Sequence, residues 1–198
     1  MFKWVEEPDD ITDRTMDGIL ITARQGFVAG TCVASNLGWK PVEDLCIGDK
    51  VLTFDNDMQR LTDIQRETVH TAFLGTRPSD APLFVPRGAL ENRVDLWLMP
   101  DQGVMIEDET LCDRYGDPFA VVPAGALDGV RGIERRKPPA EFHVTVLSFA
   151  DDQILYAEGG LLCFCPRPRQ ILLDRDSCEP SYNVLSVDAA RTLLRNAV

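Results

Sequence analysis

At 198 residues the chain is long enough to bury a core without disulfide staples, and 44% hydrophobic with 26% charged residues describes an ordinary folded domain. A formal net charge of −12 repels phosphate backbones and anionic headgroups, so neither nucleic acid nor a membrane surface is expected as a partner. No run approaches the roughly 18 consecutive apolar residues of a membrane span, and a protein partner of unknown identity is the class left open.

Residues 1–25 read as an acidic N-terminal extension with one strand expected at Gly18–Thr22. The opening residues lack the basic end and apolar stretch of a secretory signal, so the cytoplasm is the expected compartment. Leaderless export through a C-terminal signal would escape that test.

A string of short apolar runs follows, expected as strands at Thr31–Ala34, Lys50–Phe54, Leu83–Val85, Asp95–Leu98, Val104–Ile106, Phe119–Val122, Phe142–Leu147 and Gln153–Tyr156. Turn chemistry separates them at Ser35–Gly38, Asp55–Asp57, Glu107–Glu109, Tyr115–Pro118 and Ala150–Asp152. The similar segments Pro86–Leu90 and Pro123–Leu127 are expected as single helical turns. Arg135-Arg136-Lys137 before two prolines reads as a solvated loop rather than a binding patch. Many short strands and few helical periods predict an all-β fold.

Prolines in Cys165-Pro-Arg-Pro-Arg169 end the β-rich region. Ser186 then precedes Val187-Asp-Ala-Ala-Arg-Thr-Leu-Leu-Arg195, with an acid in the first turn and Val187, Ala190 and Leu194 on one face. That pattern predicts a capped amphipathic helix docking on the body or on a partner. The expected division is an extension over 1–25, a β domain over 26–166, and a tail with a short helix over 167–198.

The six cysteines, Cys32, Cys46, Cys112, Cys163, Cys165 and Cys178, are read as mostly reduced in a chain of this size. No Cys-x-x-Cys pair exists, and a one-residue gap in a strand does not let Cys163 and Cys165 enclose a metal with His70 and His143, so no metal or cofactor is expected. Asp55-Asn-Asp57 lacks the following glycine and distal glutamate of a calcium loop and reads as a hairpin turn.

Several phrases recur in order along the chain. Gly26-Phe-Val-Ala-Gly-Thr-Cys-Val-Ala-Ser35 leads to Trp39-Lys-Pro-Val-Glu-Asp-Leu-Cys-Ile-Gly-Asp-Lys-Val-Leu-Thr53. Arg87-Gly-Ala-Leu90, Asp95-Leu-Trp-Leu-Met-Pro100, Val121-Val-Pro-Ala-Gly-Ala-Leu127 and Tyr156-Ala-Glu-Gly159 follow. In order and spacing this set resembles the bacterial Hint (hedgehog/intein) domain proteins over about 26–166. The resemblance implies that family's compact fold of many short strands.

The resemblance also implies a reaction: acyl transfer from the backbone nitrogen of the first Hint residue to its own thiol, followed by attack of a second nucleophile. Such chemistry needs a thiol at the first position, an imidazole to protonate the leaving nitrogen, and donors for the oxyanion. Here the first position is Gly26. The family's Ser-Pro-x-His segment reads Met99-Pro100-Asp101-Gln102, so hydroxyl and imidazole are both replaced, and Gln102 cannot deliver a proton near neutral pH. Counting back from Ala157-Glu-Gly159 puts Val146 and Asp152 where later histidines would fall.

Gly26, Met99, Gln102 and Asp152 are thus expected as vestigial site positions, with no catalytic residue predicted and no enzymatic turnover expected. The alternative is residual autoproteolysis or thiol chemistry through a displaced cysteine. Cys32 is the nearest candidate nucleophile, although a thiol six residues on cannot make the same intraresidue shift. It reads more simply as a small core cysteine. Cys163 and Cys165 read as buried small hydrophobes, and His143 as a structural or surface histidine.

Overall fold

The computed structural model describes residues 24–70, 80–107, 118–168 and 181–196. Its strands are β1 (Phe27–Val28), β2 (Cys32–Ser35), β3 (Gly38–Pro41), β4 (Lys50–Leu52), β5 (Met58–Arg60), β6 (Asp63–His70) and β7 (Leu83–Val85). They continue as β8 (Leu96–Leu98), β9 (Gly103–Glu107), β10 (Phe119–Pro123), β11 (Glu134–Arg135), β12 (Glu141–Ser148), β13 (Gln153–Ala157) and β14 (Leu161–Cys165). Among the described residues one α-helix follows, α1 (Val187–Asn196). The strands build two sheets, in the orders β11-β7-β8-β1-β12-β6 and β10-β9-β14-β13-β2-β4-β5, with β3 added on β2. The all-β expectation holds.

The core lies where the two sheets face each other. Phe27, Leu83, Val85, Leu98 and Leu147 from the first sheet meet Val33, Val51, Val104, Val122, Leu155 and Leu161 from the second in one buried cluster. Each such side chain contributes roughly 1.5–3 kcal/mol relative to exposure. Alternation along β12 puts Phe142 and Val144 on the other face of the first sheet, where they join Val28, Val69 and Met99 in a second cluster. That second face holds the region around Gly26.

The tail packs on this body. Val121 at the edge strand β10 donates its amide to the Asn183 carbonyl and accepts from the Leu185 amide, both at 2.8 Å. Tyr182 sets its ring edge against Phe164 at 5.7 Å and donates its hydroxyl to Asp55 at 2.7 Å. Ser186 Oγ then accepts the Ala189 amide at 3.3 Å, capping α1, which buries Ala190 completely. No helix among the described residues is long and apolar enough to cross a membrane.

Differences from expectation have local causes. Pro86–Leu90 is a non-helical turn because buried Asn92 takes it over, donating to the carbonyls of Pro86 and Val94 and accepting from the Leu90 amide. Its counterpart does form a short 3₁₀ turn at Ala124–Leu127. Arg135 belongs to β11 rather than to a solvated loop, with its guanidinium on Asp128 and the Ala81 carbonyl. The strand expected at 18–22, most of the turns expected at 107–109 and 115–118, Cys112 and Cys178 lie outside the described residues.

Candidate functional site

Gly26 immediately precedes β1, which is held between β8 and β12 by the pairs Phe27 with Leu98 and Phe27 with Thr145. The turn Met99–Gln102 leaves β8 and closes with the Gln102 amide on the Met99 carbonyl at 3.0 Å. Both chain segments therefore arrive at one place from neighbouring strands. There the Gly26 amide donates to Gln102 Oε1 at 3.1 Å. Gln102 is 1% exposed, and its Nε2 donates to the carbonyls of Gly103 at 3.1 Å and Phe164 at 2.8 Å. Every polar atom of this buried side chain has a partner, and the two carbonyl acceptors fix which end is oxygen.

Gly26 has a φ of +121°, in a region that residues with a Cβ avoid. A Cβ placed there would lie 2.7 Å from Val144 Cγ1, 3.0 Å from the Thr145 carbonyl oxygen and 3.1 Å from Val146 Cγ2. Any residue with a Cβ would therefore be strained here and would have to displace its neighbours. Met99 is fully buried and packs with Val28, Val69, Phe142 and Val144, so an apolar cluster stands where the resemblance put a hydroxyl.

A cleft of about 240 Å³ opens beside Gly26, lined among others by Gln25, Gly26, Gln102, Val146, Cys165 and Arg167. Gly26, Gln102 and Val146 therefore line one cleft, whereas Asp152 does not. It stands behind the wall, buried, where its carboxylate accepts the amides of Arg167 at 2.9 Å and Ser181 at 3.4 Å. Its two backbone partners make it a clasp between the end of the β-rich region and the start of the tail.

The thiols differ widely. Cys32 is half-buried rather than a core cysteine, because β2 pairs with β3 and presents it and Ala34 to the less covered face. Burial, followed by the carboxylates of Glu158 and Glu43, holds its thiol above the ordinary range. Cys46 is exposed. Cys163 and Cys165 are buried as expected; burial pushes Cys163 up to about 12 and Cys165 well above its usual value. His143 is exposed, with Nδ1 3.1 Å from Thr68 Oγ1. Among the described residues no group of three or more histidines, cysteines or acids could hold a metal.

A family model described as the Hint domain matches residues 25–162, well over half of the chain. The chain belongs to the Hint domain family. Among solved structures, this Hint domain is similar to the AceL NrdHF class 3 split intein in a splice-inactive variant, at 14% identity over 73% of this chain and 99% of that chain, with a TM-score of 0.44. It is also similar to the bacterial intein-like domain from Clostridium thermocellum, at 16% identity over 71% and 98% of the two chains, with a TM-score of 0.43. The MchDnaB-1 intein aligns at 12% identity over 70% and 98%, with a TM-score of 0.43. No curated protein matches it.

Two residues that shape the surroundings of Gly26 carry no expectation in the sequence. Val144 fills the space a side chain at position 26 would need, and Arg24 anchors the incoming chain on Asp80 and Asp101. The alternating apolar pattern of β12 was the available signal for Val144. Arg24 carried none, because its partners lie 56 and 77 residues away.

Proposed function

We propose that this Hint domain is silent for self-cleavage and serves as a structural or binding module. The observation that carries the reading is Gly26 itself, which has no side chain and sits at a positive φ where a Cβ would force Val144 and Val146 to move. An acyl shift at this peptide bond has no acceptor on its own residue. Gln102 supports the same reading, since its oxygen accepts the Gly26 amide hydrogen instead of supplying a proton to that nitrogen. Gly26, Met99 and Gln102 are, in this proposal, vestigial site positions kept for packing and hydrogen bonding, whereas Asp152, behind the cleft wall, is kept as the clasp on Arg167 and Ser181. The division into an extension over 1–25, a domain over 26–166 and a tail over 167–198, and residence in the cytoplasm, belong to the same proposal.

Residual thiol chemistry would have to start from Cys32 or from Cys165, which does line the cleft. The surroundings of both thiols raise their pKa, and the thiolate is the reactive form. A time course of the full chain with dithiothreitol or hydroxylamine, run beside Cys32→Ala and Cys165→Ala variants, tests this. The silent reading expects no cleavage in any sample. Thiol-dependent cleavage that vanishes in either variant would replace it with the alternative.

A further inference from the structure

Arg24, two residues before the glycine, makes a set of contacts that the packing at Gly26 does not require. Its Nε donates to Asp101 Oδ2 at 2.7 Å and its Nη2 to Asp101 Oδ1 at 3.1 Å, a two-point fork on one carboxylate. Its Nη1 donates to the carboxylate of Asp80, which arrives from the segment leading into β7. The Arg24 carbonyl in turn accepts the Asp101 amide at 2.8 Å. Two residues on, the Gly26 amide donates to the Gln102 side-chain oxygen.

Arg24 and Gly26 are therefore gripped by two consecutive residues, with Asp80 added from elsewhere in the fold. We propose that Asp80 and Asp101 form a guanidinium-binding notch beside the cleft, occupied in cis by Arg24, which fixes the Gln25–Gly26 peptide against Gln102. Arg24 is a positioning residue that acts on Gly26 through the backbone.

Charge and geometry support the assignment. Two carboxylates converge on the Arg24 guanidinium, which offsets the repulsion between them. Asp80 is only 14% exposed, which withdraws part of the network from the screening that makes ordinary surface pairs weak. A planar fork matches the two oxygens of Asp101 while a third donor reaches Asp80, an arrangement that a single ammonium cannot reproduce. The notch selects guanidinium as a chemical class rather than positive charge alone.

The clamp goes beyond the silent reading and does not depend on it, because it is measured on the uncut chain. Hydrogen exchange at the Gly26 amide is the readout, with the buried amide of Val104 in β9 as the control for intact folding. In Arg24→Ala, Gly26 exchange is expected to rise about tenfold while Val104 keeps its protection. Arg24→Lys, which keeps the charge and loses the fork, is expected to exchange faster than the native chain. Unchanged exchange at Gly26 in Arg24→Ala would overturn the clamp, and native-like exchange in Arg24→Lys would overturn the guanidinium selectivity.

Discussion

The Gly26 amide and the Gln102 side-chain oxygen, 76 residues apart in sequence, are hydrogen-bonded at 3.1 Å in the interior. This bond joins the entry of the domain to the turn after β8. It also consumes the acceptor of a glutamine whose two donors are already committed to main-chain carbonyls. A polar centre satisfied in this way is a stabilising element, and it has no spare group for proton transfer.

Replacing Gln102 tests that role. Gln102→Ala removes the acceptor of the buried Gly26 amide and a donor to two carbonyls, and is expected to cost about 3 kcal/mol, visible as a lowered midpoint in urea denaturation with the slope unchanged. Gln102→His is expected to destabilise as well, because a neutral imidazole offers one donor where two carbonyls wait. Neither variant is expected to gain cleavage.

Gly26→Cys, which restores the thiol, is expected to destabilise rather than to reactivate. Backbone strain of about 1–3 kcal/mol adds to overpacking of about 1–3 kcal/mol against Val144 and Val146. Denaturation midpoints of Gly26→Cys, Val144→Ala and the double variant check this. The double variant should be more stable than the sum of the two losses predicts, since truncating Val144 removes the closest contact.

The four described thiols are expected to label in a fixed order. Exposed Cys46 reacts first with iodoacetamide, Cys32 follows more slowly, and Cys163 and Cys165 react only on unfolding. Peptide mapping by mass spectrometry reads the order. Cys163 also makes stability depend on alkaline pH. Its folded pKa lies above the ordinary thiol value near 8.5, so its contribution is complete below that value and is lost as pH rises toward about 12. Cys163→Ala is expected to flatten that alkaline decline.

Asp152→Ala removes the acceptor of two main-chain amides and is expected to cost about 1–3 kcal/mol. Exchange should rise at Arg167 and Ser181, while Gly26 keeps its protection because Asp152 does not line the cleft. An Asp152 that affected Gly26 as strongly as Arg167 would return it to the site where the sequence placed it.

Most of the strands were legible because apolar alternation and turn residues mark them; Leu83–Val85 was placed residue for residue. β6 was missed because Asp63–His70 is mostly polar, although it pairs with β12 along its whole length. It is an edge strand, and charge on an edge hides it from a search for apolar runs. Cys32 was misjudged for a related reason, since alternation gives two faces without saying which is covered. Around the cleft, the glycine at 26, the methionine at 99 and the glutamine at 102 are legible as residue types. The packing around position 26, and the place of Asp152 behind the wall, depend on contacts between distant strands.

The intact mass of the full chain, expressed and purified without reducing agent and again with it, tests silence at Gly26 most directly. A single species at the mass of the uncut 198 residues is expected under both conditions. A fragment beginning at Gly26 would contradict it.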